Sequence, residues 1–203
     1  MENINALSAA IIAGGKSARF GTSKVTAVYK NKRLIDWAAG LAEGIADNIV
    51  IVSGPEEIKY FDHIRSVRDK VTDRGPIGGI YTALACFPDQ WIAVLPCDMP
   101  RLSAKVYHYM MNSRSADQAV VAKSDKGIEP LVSIWPANAL RIVEQSIREG
   151  NYSLHKLLSR LNAVQVDIPN NMPGYKPEYF YNVNTREDLA RLMQTDEFPD
   201  QTE

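Results

Sequence analysis

The sequence predicts an α/β domain, a mainly parallel sheet covered by helices on both faces in three layers. Short apolar runs alternate with helical periodicities through the first half, the pattern of strand–helix–strand units. Several of these runs stop abruptly at glycine or an acid, as strands do at a ligand-binding sheet edge. The length of 203 residues and the 45% hydrophobic content suit one domain with a substantial core. That domain spans residues 1–203, with its core from about 8 to 193 and a polar tail over 194–203.

Strand one is expected over Ser8–Ala13, built on the apolar run Ala9–Ala13. A glycine-rich loop follows, then an extended piece over Val25–Tyr29 and a turn at Asn31-Lys32. Leu34, Ile35, Ala38, Leu41, Ala42 and Ile45 recur at helical spacing and predict a helix from Arg33 to Ile45. Asn48–Val52 is β-branched and reads as a strand stopped by Ser53-Gly54-Pro55. Glu56–Phe61 reads as the start of a short helix and Ile64–Val67 as a third strand. A second glycine loop from Asp69 leads into a helix over Gly78–Cys86. Trp91–Leu95 is the next buried strand, and Ser103 caps a helix through Met111.

The second half is less regular and predicts mixed strands at one edge. Strands are expected at Ala119–Ala122 and Leu131–Trp135, around a turn at Ser124–Gly127. Helices are expected at Ala137–Glu149, stopped by Gly150, and at Ser153–Leu161. Ala163–Ile168 reads as a strand, Asn170–Glu178 as a loop and Tyr181–Val183 as a short extended piece. Thr185 caps a last helix over Arg186–Met193, after which the polar tail is expected to fray.

Composition narrows the function classes. A net charge of −1 supplies no global field for nucleic acid. Cys86 and Cys97 form no C-x-x-C pair, which suits reduced thiols and a cytoplasmic protein. The opening Met1-Glu2-Asn3-Ile4-Asn5 does not read as a secretory signal, and no apolar run approaches the ~18 residues of a membrane span. The histidines stand in no zinc-like spacing.

Four stretches place glycine or an acid just after an expected strand. The first is Ala13-Gly14-Gly15-Lys16-Ser17-Ala18-Arg19-Phe20-Gly21-Thr22-Ser23-Lys24. Glycine lets backbone approach a ligand, and exposed N–H groups with cations suit a polyphosphate. It is neither a Walker A loop, since Ala10 stands where the first glycine belongs, nor a Gly-x-Gly-x-x-Gly dinucleotide loop. The second stretch is Asp69 to Gly79, whose Gly78-Gly79 opens a helix; this suits either an anion or close helix–sheet packing. The third is Asp98, between Pro96 and Pro100. One such carboxylate suffices for Mg²⁺ that takes its other ligands from phosphates and water, although aspartate also caps helices and tightens turns. The fourth is Asn182-Val183-Asn184-Thr185, whose amides can read a heterocycle or satisfy a turn. Lys24 and Arg19 suit phosphate oxygens, or simply solvent. Glu129-Pro130, before a strand, suits a metal or substrate, or solvent.

Together these motifs resemble the molybdenum cofactor guanylyltransferases of the MobA type, a branch of the nucleotidyltransferases with a Rossmann-like fold. The resemblance rests on Ile12–Lys24, Gly75-Pro76-Ile77-Gly78-Gly79-Ile80, Pro96-Cys97-Asp98-Met99-Pro100, Glu129-Pro130-Leu131 and Asn182–Thr185, in that order. It implies transfer of GMP from GTP to molybdopterin, with Mg²⁺ as cofactor and pyrophosphate as leaving group. It implies that Ile12, Ala13, Gly14, Gly15 and Asp69 contact the nucleotide, that Lys24 binds its phosphates, and that Asp98 binds nucleotide and metal. Lys24, Asp98 and Arg19 would be catalytic. Arg19, Gly79, Asn182 and Asn184 would lie toward the pterin. Transient contacts with cofactor-biosynthesis or molybdoenzyme proteins are implied, and nucleic acid and membrane partners are not. The Ala-Gly-Gly form of the first loop matches the guanylyl branch, whereas the cytidylyl branch more often carries Ala-Ala-Gly. Phe20 and Ser23 depart from the usual methionine and acid; loss of the acid leaves Lys24 without a sequence neighbour to orient it. A cytidylyl or sugar-phosphate nucleotidyltransferase, or a non-catalytic nucleotide-binding module, are the rival readings. Lys24 and Asp98 together count against the last, because a pure binder needs no metal carboxylate.

Overall fold

The computed structural model describes residues 7–14, 24–55, 59–88, 90–115 and 117–197. Gly15 and Arg19, and the rest of the first loop up to Ser23, lie outside them.

The first strand, β1 (Leu7–Ile12), leads toward a two-stranded ribbon, β2 (Val28–Tyr29) with β3 (Lys32–Arg33). Lys30 and Asn31 turn this ribbon with φ of 48° and 61°, the left-handed pair that a tight hairpin of the right twist requires. Lys24–Thr26 is a 3₁₀ turn, not the extended piece the sequence predicts there. Buried Val25 anchors it, so a tertiary contact overrides the β-branched preference. Helix α1 (Leu34–Glu43) starts where Asp36 Oδ2 accepts a 2.7 Å hydrogen bond from the Arg33 N–H. Next come β4 (Asn48–Ser53), β5 (Arg65–Arg68), α2 (Pro76–Cys86) and β6 (Trp91–Pro96). Residues 59–61 are not helical, contrary to expectation, and 56–58 lie outside the described residues.

In the second half, α3 (Ala104–Met111) is capped by Ser103, whose Oγ accepts from the Lys105 N–H. Strands β7 (Val120–Ser124) and β8 (Gly127–Trp135) precede α4 (Ala139–Arg148) and α5 (Leu154–Arg160), the latter capped by Ser153. Strand β9 (Val164–Asp167) runs into α6 (Ile168–Asn171), a single turn where the sequence predicts loop. Asp167 caps it by accepting from the Asn170 N–H at 3.2 Å, and Pro169 stands in its first turn, where a missing N–H costs nothing. Tyr181–Val183 is not a strand. The last helix, α7 (Arg186–Glu197), continues past Met193 into the stretch expected to fray.

The seven-stranded sheet has the order β5-β4-β1-β6-β8-β7-β9. The first four are parallel; β8 pairs antiparallel with both β6 and β7, while β9 is parallel to β7. This bears out the three-layer, mainly parallel architecture with mixed strands at one edge. Successive residues of one strand point to opposite faces, so strands covered on both sides must be apolar throughout. Ala9 and Ile11 of β1 pack on one face with Ile35 of α1 and Val106 of α3. Ala10 and Ile12 pack on the other with Ile77 and Ile80 of α2 and Val143 of α4. The core is therefore two apolar layers flanking the sheet, with a smaller third cluster of Tyr29, Leu34, Val183 and Leu192. Among the described residues, no helix is long and apolar enough to cross a membrane.

Candidate active site

Parallel pairing in register brings the carboxyl ends of β5, β4, β1 and β6 to one edge. Ile12 stands opposite both Val52 and Pro96, and Ser53 opposite Arg68. The residues that follow therefore line up as Asp69, Gly54, Gly14 and Asp98. Three strand spacings separate the two acids, about 14 Å. One metal ion cannot bridge two carboxylates at that separation.

At the Gly14 position the chain passes tightly. The Ala13 N–H donates to the Val52 carbonyl at 2.9 Å, and a Cβ on Gly14 would stand 3.2 Å from the Gly54 backbone. Ile12 and Ala13 are buried beneath this point, while Gly14 is exposed. Exposed glycine backbone at a strand end is suited to close ligand approach.

Asp69 is held by a network absent from the sequence motifs. Its N–H donates to the carbonyls of Ser53 and Gly54. Its Oδ1 accepts from the Val71 N–H at 2.9 Å and from the Thr82 hydroxyl at 3.1 Å. The same Thr82 oxygen accepts from the Lys70 N–H at 2.9 Å. The carboxylate lies so close to α2 that a Cβ on Gly78 would fall 2.8 and 2.9 Å from its oxygens and 2.2 Å from the Val71 carbonyl. Gly78 is thus required for packing. Gly79 is buried as well, where a Cβ would meet the Ile12 side chain at 3.1 Å. Its contacts are those of helix–sheet packing, the alternative the sequence left open. Thr82 was missed in the motif reading; its only signal was position i+4 from Gly78 on the same helix face.

Burial raises the Asp69 carboxyl above the ordinary aspartate value of 3.8, against the two hydrogen bonds that lower it. Folded Asp69 thus holds its proton more tightly than unfolded aspartate. Stability from this group is full below about pH 4 and is lost as pH rises through the folded value. Asp69→Asn keeps an acceptor for Val71 and Thr82 and removes that loss. The variant is expected to melt higher than the parent near neutral pH, with the difference shrinking as pH falls through the folded value and gone below about pH 4. A difference constant across that range in calorimetry would assign the effect to packing.

Asp98 follows β6 within a turn anchored by buried Met99 and Leu102. It does not cap α3, since Ser103 does so. Its side chain instead meets Lys24, whose Nζ donates to Asp98 Oδ2 at 2.7 Å and to Asn184 Oδ1 at 2.8 Å. The Lys24 and Asp98 side chains are only 17% and 21% exposed, so Lys24 is not a solvated surface cation. The Asn182 amide, oriented as hydrogen bonding requires, donates from Nδ2 to both Asp98 oxygens at 2.9 Å. Lys24 thus gains its orienting acid from Asp98, not from a sequence neighbour. The adjacent Cys97 thiol is pushed up to about 12, chiefly by burial and then by Asp98, and is not a nucleophile at neutral pH.

Among the described residues no group of three His, Cys, Asp or Glu side chains gathers to hold a metal. The fit is to a hard cation that takes one carboxylate and fills its shell with phosphate oxygens and water, the habit of Mg²⁺. Asp98 is the carboxylate at this edge that would suit such an ion. Glu129 is occupied with the β7–β8 turn, its Oε1 accepting from Ser124 Oγ at 2.7 Å.

Pro100 and Arg101, two and three residues after Asp98, enter a groove of about 1230 Å³ between α1, the start of α3, the segment before α7 and α7 itself. Its cations Lys30, Lys32, Arg101, Lys126 and Lys176 outnumber its acids, Asp36 and Glu178, and Trp37, over whose ring Lys32 Nζ lies at 5.2 Å, and Tyr181 are among its aromatic residues. Arg101 is held across it, with Nε donating to Tyr29 Oη at 3.1 Å.

Residues 9–165 match the model of the MobA-like NTP transferase domain. The chain belongs to that family. It is a nucleotidyltransferase, as the motifs implied. The molybdenum cofactor guanylyltransferase of Syntrophotalea carbinolica is 29% identical over 188 residues, covering 91% of this chain and 89% of the relative. A probable molybdenum cofactor guanylyltransferase of Aquifex aeolicus is 30% identical over 183 residues, covering 90% and 88%. Among solved structures, molybdopterin-guanine dinucleotide biosynthesis protein A from Archaeoglobus fulgidus superposes with a TM-score of 0.79 at 25% identity, covering 94% of this chain and 98% of that one.

Proposed function

We propose that this nucleotidyltransferase transfers GMP from GTP to the terminal phosphate of molybdopterin, forming molybdopterin guanine dinucleotide and pyrophosphate. The observation that carries this reading is the Lys24–Asp98 pair at the end of β6, between the glycine-lined edge and the basic groove. The names of the relatives supply the acceptor. The cations and aromatic residues of the groove suit a ligand that is both phosphorylated and planar. The tight Gly14–Gly54 contact, where an added Cβ has little room, accords with the Ala-Gly-Gly form of the guanylyl branch.

In this reading Ile12, Ala13, Gly14 and Asp69 line the nucleoside end of the edge, with Asp69 offering its Oδ2 oxygen to a donor on the nucleoside. An oxygen of the acceptor phosphate attacks the α-phosphorus of GTP, the bond from that phosphorus to the β-bridging oxygen breaks, and pyrophosphate leaves. The nucleophile is already anionic, so the protein positions and neutralises; it does not remove a proton. Lys24 shifts its charge onto the phosphates. Asp98 would hold Mg²⁺, which spreads the charge of the phosphate oxygens when bound. Gly15 and Arg19 belong to the same proposal by resemblance.

Lys24→Ala is expected to weaken GTP binding by about 1.5–3 kcal/mol, the worth of a charged hydrogen bond. Titration calorimetry with GTP measures it, and unchanged affinity would remove Lys24 from the site. The reaction itself is tested by incubating protein, Mg²⁺ and molybdopterin with each nucleoside triphosphate separately, with mass detection of products. Guanine dinucleotide from GTP alone is expected. A cytosine product would overturn the base assignment, and no product with any triphosphate would overturn the acceptor.

A further inference from the structure

We propose that Asn182 and Asn184 are positioning residues of the phosphate- and metal-binding centre, and that they do not contact the acceptor. The resemblance implies a pterin-side role, but the contacts of these amides point the other way. Asn182 Nδ2 donates to both oxygens of Asp98, and the Val183 N–H donates to the Asp98 carbonyl at 2.8 Å. Asn184 presents the opposite end of its amide, its Oδ1 accepting from Lys24 Nζ at 2.8 Å. Each amide offers the pole that its charged neighbour needs: a donor to the carboxylate, an acceptor to the ammonium. Both amides are therefore engaged before any ligand arrives.

The segment that carries them is held independently of the site. Val183 is fully buried between them. Asp188 Oδ2 accepts from the N–H groups of Asn184 and Thr185 at 2.9 and 2.8 Å, and Thr185 Oγ1 accepts from the Asp188 N–H at 3.1 Å. This reciprocal cap fixes the start of α7 and with it the two amides. Asp98 and Lys24 sit on short irregular segments, a turn and a 3₁₀ turn, which define side-chain direction poorly alone. The C-terminal segment supplies the missing restraint. Among the described residues, nothing comparable links it to Gly79, another implied pterin residue, which is packed under Ile12.

The inference rests on the reading that this edge binds a metal–nucleotide. The test measures binding of magnesium–GTP to the protein without acceptor, by titration calorimetry, in the parent and in Asn182→Ala and Asn184→Ala. Acceptor KM is then measured at saturating magnesium–GTP. Loss of a hydrogen bond to a charged group predicts about tenfold weaker magnesium–GTP binding for Asn182→Ala. Exposed Asn184 predicts a smaller loss of about threefold. Acceptor KM is expected to be unchanged in both, and Asn182→Gln, which keeps the amide, to restore part of the binding. Parent-like magnesium–GTP binding with raised acceptor KM would overturn the proposal and return both residues to the acceptor. Should Asn182→Ala fail to fold, Asn184→Ala decides alone, because its side chain is exposed. A parent protein that binds no magnesium–GTP would overturn this inference together with the proposed function, whereas binding parent and unaffected variants overturn only the inference.

Discussion

Asp98→Asn is expected to lower turnover by about 100- to 1,000-fold, the cost of removing one preorganised charged group from a transition state. The substitution keeps size and shape, removes the negative charge and turns one accepting oxygen into a donor. Three losses follow together. The carboxylate that would hold a divalent cation is gone. Lys24 loses the partner at 2.7 Å that aims it, and the Asn182 amide faces a neutral neighbour in place of two carboxylate oxygens. The fold should survive. The Lys24–Asp98 pair is mostly buried but reaches solvent, and an amide at 98 still accepts from Lys24, so the loss of stability is expected to stay below the ~3–5 kcal/mol of breaking a fully buried pair. Steady-state kinetics beside a thermal melt separates the two effects. Near-parental turnover in a folded variant would take Asp98 out of the mechanism.

Gly78→Ala is expected to destabilise the protein by about 1–3 kcal/mol, as overpacking a well-filled site does. It should weaken GTP binding as well. The added methyl would lie 2.2 Å from the Val71 carbonyl and inside 3 Å of both Asp69 oxygens. Backbone at Val71 cannot rotate away as a side-chain tip can. Relief therefore displaces α2 or the Asp69 loop, and either breaks the bonds from Val71 and Thr82 that hold the carboxylate. Gly79→Ala is the internal control. Its methyl comes nearest to the Ile12 side chain, at 3.1 Å, so a smaller loss is expected from the same change one residue on. Urea melts of both variants measure the difference. Equal, small effects would show that the Asp69 loop yields easily and that Gly78 carries no special constraint.

The long apolar strands were legible because each is buried on both faces. Such strands must be apolar throughout, and β1, β4 and β6 announce themselves by composition alone. Local chemistry also marked several helix ends: Ser103 and Ser153 accept from N–H groups of the first turn, and Gly150, at φ 71°, takes a left-handed conformation after α4. Where apolar pattern and local chemistry were weak, tertiary contacts decided. Val25 is buried in a 3₁₀ turn in place of an extended segment, and α7 carries on past Met193 through residues whose polarity suggested fraying.

For the site, the sequence by itself determined which residues stand at strand ends, because an abrupt stop of an apolar run at glycine or aspartate is a local signal. That was enough to single out Gly14, Asp69 and Asp98, and the order of the motifs was enough for the family. Only the tertiary structure decided what those residues touch. Lys24 and Asn184 are 160 positions apart, yet they share a hydrogen bond beside Asp98. Thr82 reaches Asp69 across a loop and a helix turn. Strand ends follow from the pattern of one segment. A contact depends on how several segments pack, and no local pattern encodes that arrangement.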